Sequence, residues 1–341
     1  MSLRGSGRAL SEVYDVALLD LDGTVYIGSK ALPGAGQALE KARASGMRLA
    51  FVTNNASRTP SAVATLLTDI GVPATAADVV TSAQAAARLL AERLPAGARV
   101  LVVGGMGLRQ ALRAHGLRPV STAAERPAAV VQGYTPDLSY GLIAEGAQAV
   151  ADGALFVGSN GDRTIPSAAG RPPRPGNGSL LAVIRTSTGV EPIVTGKPER
   201  PLHDEAVLRT GAGRPLAVGD RLDTDIEGAR NGGADSLLVL TGVDDPLALV
   251  TAAPHRRPTY VAADLAGLQT PHPEVRREGD AHTCKGWRVA WSPSGDRIEL
   301  SGHGDRLDGL RALCGAAWSR EAPADSRAVT GALDRLAELA D

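Results

Sequence analysis

The chain has few cysteines, almost no net charge and no long apolar run. Its longest hydrophobic stretches, such as 99–103 and 236–240, are strand-length. A bilayer span needs roughly 20 consecutive apolar residues, so no membrane crossing is expected. Formal charge is -1 at pH 7, with arginines dispersed along the sequence. Without a basic patch there is no electrostatic footprint for nucleic acid or an anionic membrane surface, which leaves small molecules as the expected partners. The 2 cysteines, Cys284 and Cys314, lie near the C-terminus outside any CxxC or Cys/His spacing. They read as structural thiols in a reducing compartment, the cytoplasm, with a disulfide between them the less favoured alternative. Arg4 and Arg8 precede no apolar segment of the kind a secretory leader carries, and the first dozen residues are set aside from the fold.

A hydrophobic share of 43% with 21% charged residues is ordinary for a folded globular protein. At 341 residues, two or three domains are expected. From Tyr14 to about Thr195, short apolar runs alternate with helical stretches, the pattern of parallel α/β architecture. Expected strands are 16–19, 48–52, 99–103, 128–131 and 154–157, with helices over 33–45, 60–71, 106–114 and 139–151. The Gly/Pro/Asn-rich stretch 158–178 reads as a long loop, and loops of that length inside a domain are usually functional. Strands and helices resume from 199 to 261, 269–279 reads as a linker, and a tail with a hairpin near Pro293-Ser294-Gly295 and two helical segments closes the chain.

Four short motifs carry chemistry. Asp20-Leu21-Asp22-Gly23-Thr24 stands where the first strand runs out, the place where open α/β sheets bind ligands. An acidic helix-capping turn is the plain alternative. A calcium loop is disfavoured because Ala31 stands where its twelfth-position Glu would be. Thr53-Asn54-Asn55 follows the second strand and offers a hydroxyl, amides and backbone N–H groups to a phosphate oxygen, though such a tripeptide also makes ordinary turns. Gly196-Lys197-Pro198 places a lysine in a chain that otherwise uses arginine almost throughout. A compact ammonium approaches a phosphoryl oxygen more closely than a guanidinium can. Gly219-Asp220-Arg221-Leu222-Asp223-Thr224-Asp225 crowds three carboxylates after one strand, where mutual repulsion asks for a hard cation or a proton.

In this order and at these strand ends, the four motifs resemble those of the haloacid dehalogenase superfamily of phosphatases, in the branch with a large α/β cap. Val131-Gln132-Gly133-Tyr134, Ser159-Asn160-Gly161-Asp162 and Pro175-Gly176-Asn177-Gly178 are similar to patterns in that cap. The tail resembles, more weakly, the acetyltransferase-like half-domain appended to some bacterial glycerol 3-phosphate phosphatases. It lacks the Gly-rich pyrophosphate loop that acetyl-CoA chemistry needs.

The resemblance implies a doubly wound parallel-sheet, Rossmann-like core at 12–82 and 193–268, an inserted α/β cap at 83–192, and a small α+β C-terminal domain at 275–341. It implies Mg²⁺, held by Asp20, the backbone carbonyl of Asp22, and Asp220, with Asp225 acting through water. It makes Asp20 the nucleophile, Asp22 the general acid and base, and Thr53, Asn54 and Lys197 the phosphate-binding group, with Asp223 a bystander. Asn160, Asp162, Arg163, Thr164 and Ile165 are the expected specificity residues. With no aromatic side chain or histidine at 163–165, a small polyol phosphate such as glycerol 3-phosphate is favoured over pyridoxal phosphate, nucleotide or p-nitrophenyl phosphate. Tyr134 and Tyr140 keep a base-stacking substrate open. A non-catalytic metabolite-binding or regulatory protein is the alternative of another class, and a homo-oligomer is left open.

Overall fold

Side-chain alternation along the strands decides the layers. The computed structural model describes residues 3–165, 172–320 and 326–339. Contacts divide the chain into two units: Met1–Leu49, Ile70–Val72 and Ala212–Asp341 form the first, Ala50–Asp69 and Pro73–Gly211 the second. No helix among the described residues is long and apolar enough to cross a membrane.

In the first unit the parallel strands Tyr260–Ala262, Asp235–Val239, Pro215–Gly219 and Val16–Leu19 lie side by side in that order. All four residues of Val16–Leu19 are buried, the mark of a parallel strand covered on both faces. Leu19 pairs with Val218, so two chain segments about two hundred residues apart leave the sheet at the same level and in the same direction.

The tail belongs to this unit. Strands Arg276–Glu278, Ala281–Cys284, Trp287–Trp291 and Ile298–Gly302 form an antiparallel sheet. Helices Arg306–Trp318 and Ser326–Leu339 follow. Trp287, Leu313 and Val329 share one apolar core with Ile226, Leu249 and Val261. Deleting the tail would therefore expose a shared core.

Two segments differ from expectation. The N-terminal residues set aside from the fold are packed: Leu3 and Leu10 are buried, and Leu10–Val13 is a helical turn. The expected linker 269–279 carries the strand Arg276–Glu278, and His272 makes an antiparallel bridge with Ser6. Two backbone bonds close that bridge, Ser6 N–H to His272 C=O at 2.7 Å and the reverse at 2.9 Å. Composition pointed to solvent here because only isolated positions, Leu3, Leu10, Ser11 and His272, are buried, while Arg276–Glu278 is exposed.

The second unit holds a five-stranded parallel sheet in the order Ile193–Val194, Leu155–Gly158, Ala129–Gln132, Arg99–Val103, Arg118–Val120. Val100, Val102 and Val131 point into one core, while Leu101, Val103 and Val130 point into another on the opposite face. This period-two alternation between two apolar layers is what a sheet wound with helices on both sides requires. Residues 51–53 pair in parallel with Val79–Thr81. Helix Ser82–Arg93 follows at once, started by a capping box in which Thr81 and Gln84 satisfy each other's backbone N–H groups. Helix Asn177–Thr188 begins where the expected loop ends.

Candidate active site

Within the first unit, the aligned strand ends deliver carboxylates to one place. Asp20 follows Leu19, and its N–H bonds the carbonyl of Val218 at 2.8 Å. Asp220 follows Gly219 on the neighbouring strand. Asp225 sits in the π-helical turn Leu222–Ile226 and is buried. Asp20, Asp220 and Asp225 each offer an oxygen, all within 4.8 Å of one another.

The backbone closes around this trio. Gly23 has φ +88°, and a Cβ there would lie 2.3 Å from Asp220 Oδ2; one on Gly242 would lie 1.9 Å from the same oxygen. Only glycine permits either approach. The Thr24 hydroxyl donates to Asp220 at 3.2 Å and the Val243 N–H at 2.8 Å. Burial, with Asp225 alongside, nevertheless pushes the Asp220 carboxyl from its ordinary 3.8 up to about 6. Asp22 is exposed, and its backbone bridges to Tyr26. Asp223 is not one of the trio and pairs with Arg221 at 3.0 Å.

Sequence reasoning missed the segment 241–245. Thr241 donates its hydroxyl to the Gly23 carbonyl at 2.6 Å, and Asp244 accepts the Leu222 N–H at 2.5 Å. The signal was available, because Thr241-Gly242-Val243-Asp244-Asp245 follows the carboxyl end of strand Asp235–Val239, the same topological position as the other motifs.

Within the second unit, Asn54 is a hub. Its Oδ1 accepts the Lys197 N–H at 2.7 Å, and its Nδ2 donates to the Lys197 carbonyl at 3.1 Å and to Asp162 at 3.2 Å. Both ends of the amide thus grip the backbone of Lys197, whose ammonium donates to the Val52 carbonyl at 3.0 Å. Thr53 is buried and its hydroxyl accepts the Asn55 N–H at 3.1 Å.

Asn160 is buried. Its Nδ2 donates to the Asn54 carbonyl at 2.8 Å, its Oδ1 accepts the Asp162 N–H at 3.2 Å, and its own carbonyl accepts from Asn177 at 2.8 Å. The Asn160 amide thus ties motif segments together. Arg163 and Thr164 are exposed, and Thr164–Ile165 pairs with Arg174–Pro175 as a short antiparallel ribbon. The rest of the expected specificity loop, 166–171, lies outside the described residues. Tyr140 is 84% exposed at the start of its helix.

Residues 17–118 match the haloacid dehalogenase-like hydrolase family, 194–268 match a second hydrolase model of the same kind, and 284–340 match the GCN5-related N-acetyltransferase like domain. The chain is 44% identical over 318 residues to a D-glycerol 3-phosphate phosphatase of Mycobacterium tuberculosis, covering 92% of this chain and 89% of that protein. It is 40% identical to a 5′-nucleotidase of Bacillus subtilis over 68% of this chain and 89% of that one. The crystal structure of the glycerol phosphate phosphatase of Mycobacterium tuberculosis in complex with magnesium superposes with a TM-score of 0.87 at 43% identity, over 96% of this chain and 99% of that one. With the acidic trio at paired strand ends and this likeness along nearly the whole chain, the protein belongs to the haloacid dehalogenase-like hydrolases.

Proposed function

We propose that the chain hydrolyses the phosphomonoester of a small polyol, glycerol 3-phosphate, in the cytoplasm, with Mg²⁺ as cofactor and through an aspartyl-phosphate on Asp20. The observation that carries this reading is the trio Asp20, Asp220 and Asp225, together with the likeness to a D-glycerol 3-phosphate phosphatase over 92% of the chain. The compartment is supported by the free, buried thiols of Cys284 and Cys314. The division into core 12–82 and 193–268, cap 83–192 and tail 275–341 is part of the proposal. It is supported by the gap between the hydrolase matches, which overlaps the cap, and by the acetyltransferase-like match in the tail.

The donor set fits a hard divalent ion: it is all oxygen, two members are buried side by side, and their repulsion needs a cation. Asp20, Asp220 and the backbone carbonyl of Asp22 would hold Mg²⁺, with Asp225 behind them. Bound there, the ion supplies positive charge to the carboxylates and to a phosphate dianion. Lys197 supplies a further positive charge, with Thr53 binding a phosphoryl oxygen.

Asp20 attacks phosphorus as the ester P–O bond breaks, and Asp22 gives its proton to the departing alkoxide. Asp22, now ionised, takes a proton from water as that water attacks phosphorus, which releases phosphate and restores Asp20. With that proton Asp22 is again the acid for the next turnover. Asn54 positions Lys197 by holding its backbone. Arg163 and Thr164 are the exposed groups of the specificity loop offered to the alcohol part of the substrate.

The test compares kcat/KM for glycerol 3-phosphate, pyridoxal phosphate and a nucleoside monophosphate by phosphate release. A preference of about tenfold or more for either aromatic substrate, about 1.4 kcal/mol of transition-state binding, overturns the polyol assignment. No release from any of the three overturns the phosphatase.

Two further outcomes are expected of the metal site. Ca²⁺ should inhibit, supporting less than about a tenth of the Mg²⁺ rate. Its longer bonds and roughly 6 to 8 ligands draw both Asp20 oxygens onto the ion and away from the line of attack. Equal rates with the two ions would refute that geometry.

The second outcome concerns metal-free stability. The Asp220 carboxyl is raised from 3.8 to about 6, so folding favours its protonated form. Its contribution is intact below about pH 4 and is lost as pH rises through 6, about 3 kcal/mol in all and roughly half of it between pH 5 and pH 7.5. Mg²⁺ reverses the penalty by favouring the ionised form. The stability difference between Mg²⁺-loaded and EDTA-treated protein, measured by urea unfolding, should therefore widen by about 1–2 kcal/mol from pH 5 to pH 7.5. A constant difference would show that Asp220 is not in contact with the ion.

A further inference from the structure

The segment 241–250 lines Asp220 and cannot hold its shape by itself. Residues 241–245 form no regular element, and the helix Pro246–Val250 that follows has 5 residues. A helix of that length is far below the dozen or so needed for independent stability. Yet the segment must be accurately placed. Val243 gives its N–H to the Asp220 carboxylate, Asp244 N–H bonds the Asp220 carbonyl at 3.2 Å, and Asp245 caps the helix by accepting the Ala248 N–H at 2.8 Å.

Its near end is tied to the core by Thr241 to Gly23 and by Asp244 to Leu222, and what holds its helical end comes from the tail. Leu249 and Val250 are buried against the helices Arg306–Trp318 and Ser326–Leu339. The Trp318 indole N–H donates to the Val250 carbonyl at 3.1 Å, satisfying a C-terminal carbonyl that the helix itself cannot. Arg257 lies over the Trp318 ring at 5.2 Å and bonds the Trp318 carbonyl at 3.4 Å, fixing the indole from the other side. A second buried attachment runs to the sheet: Arg311, paired with Asp308 at 2.5 Å, donates to the Val261 carbonyl at 2.8 Å.

We propose that the C-terminal acetyltransferase-like segment acts as a brace, holding 241–250 against Asp220 through Trp318 and so setting how well the acidic trio takes up its divalent ion. Trp318 is a positioning residue: its indole bonds the Val250 carbonyl, and it acts through the short helix. The inference rests on the metal reading above, and its test is arranged so that the two can fail separately.

Two matched substitutions isolate the brace. Trp318→Phe keeps an aromatic six-membered ring and removes the indole N–H to Val250 together with the five-membered ring. Trp291→Phe removes an equivalent bond, from the Trp291 indole to the Ala316 carbonyl at 3.0 Å, that stays within the tail. Calorimetric titration of the metal-free full chain with Mg²⁺ should show Kd raised about 3- to 10-fold in Trp318→Phe, the worth of one hydrogen bond, and within about twofold of wild type in Trp291→Phe. At saturating Mg²⁺ both variants should keep kcat within about twofold, since no reacting group has moved.

Hydrogen exchange of the metal-free wild type in low urea adds a readout that needs neither variant nor ion. Amides of 242–250 should open together with those of 306–318, with the same free energy and urea dependence. The brace is refuted if the two tryptophan variants shift Mg²⁺ affinity equally, or if 242–250 opens independently of the tail helix. Should the wild type take up no Mg²⁺ at all, the metal reading fails and the exchange pattern alone decides the brace.

Discussion

Asp20→Asn should reduce turnover by at least about 10⁴-fold at saturating Mg²⁺, because an amide cannot form the phosphoryl bond that splits the reaction into two steps. Fold loss is not the expected cause. The backbone bond from Asp20 to Val218 is untouched, and the substitution removes one negative charge from a crowded trio. The companion change Asp22→Asn has a different signature. Without a proton donor the loss on an alkyl phosphate should be about 10²- to 10⁴-fold. An aryl ester such as p-nitrophenyl phosphate, whose leaving group needs no proton, should still phosphorylate Asp20. The second step lacks its base, so the phosphoryl-enzyme should accumulate, visible as a burst of nitrophenol and as acid-stable, hydroxylamine-labile phosphate. Near-wild-type turnover by Asp20→Asn would end the covalent mechanism. Equal behaviour of alkyl and aryl esters in Asp22→Asn would remove its role as acid.

These expectations could be written from four short motifs because each sits at a strand end, and strand ends are visible in sequence. Val16-Ala17-Leu18-Leu19 followed by two aspartates is readable without neighbours. The pairing of Leu19 with Val218, which brings Asp20 beside Asp220, is not local, and only the pattern of a parallel sheet implies it. What stayed hidden had physical reasons. Helix Ser82–Arg93 is so rich in alanine that it shows little contrast between faces, although its Thr81/Gln84 capping box marked the start. Helix Asn177–Thr188 opens with Asn177-Gly178, loop residues by composition; Asn177 is used there for its side-chain bond to Asn160. Asn160 and Asn54 looked like ligand-facing polar groups, and the structure engages their amides between motif segments. A polar residue in a motif can serve the substrate or the loop that meets it, and composition does not separate the two.

The buried carboxylate of Glu205 was invisible for the same reason, and it carries the largest expected effect on stability. Glu205 is 0% exposed, with Arg88 from helix Ser82–Arg93 on one oxygen and Arg209 on the other. Burial alone would raise its carboxyl, but the two guanidinium groups outweigh it and hold the carboxyl below its ordinary range. The pair ties helix Arg200–Thr210, which follows Lys197, to helix Ser82–Arg93, whose Ser82 bonds the Asn54 carbonyl at 2.7 Å. Arg88→Ala or Arg209→Ala alone leaves one partner in place, and each arginine is one-third exposed, so each should cost about 1–2 kcal/mol. Removing both strands a buried charge, and the second loss should cost about 3–5 kcal/mol, a large part of the whole stability of a domain. The pH dependence should also invert. In wild type the folded carboxyl is depressed, so its contribution is present above the ordinary carboxylate pKa and is lost as pH falls. In the double variant burial acts unopposed and raises it, so stability is gained as pH falls and lost as pH rises through the new value. Urea unfolding of the two single variants and the double variant at pH 5 and pH 7.5 measures both effects. Additive small costs with no inversion would mean that the Glu205 charge reaches solvent, and that the two helices are held by apolar packing alone.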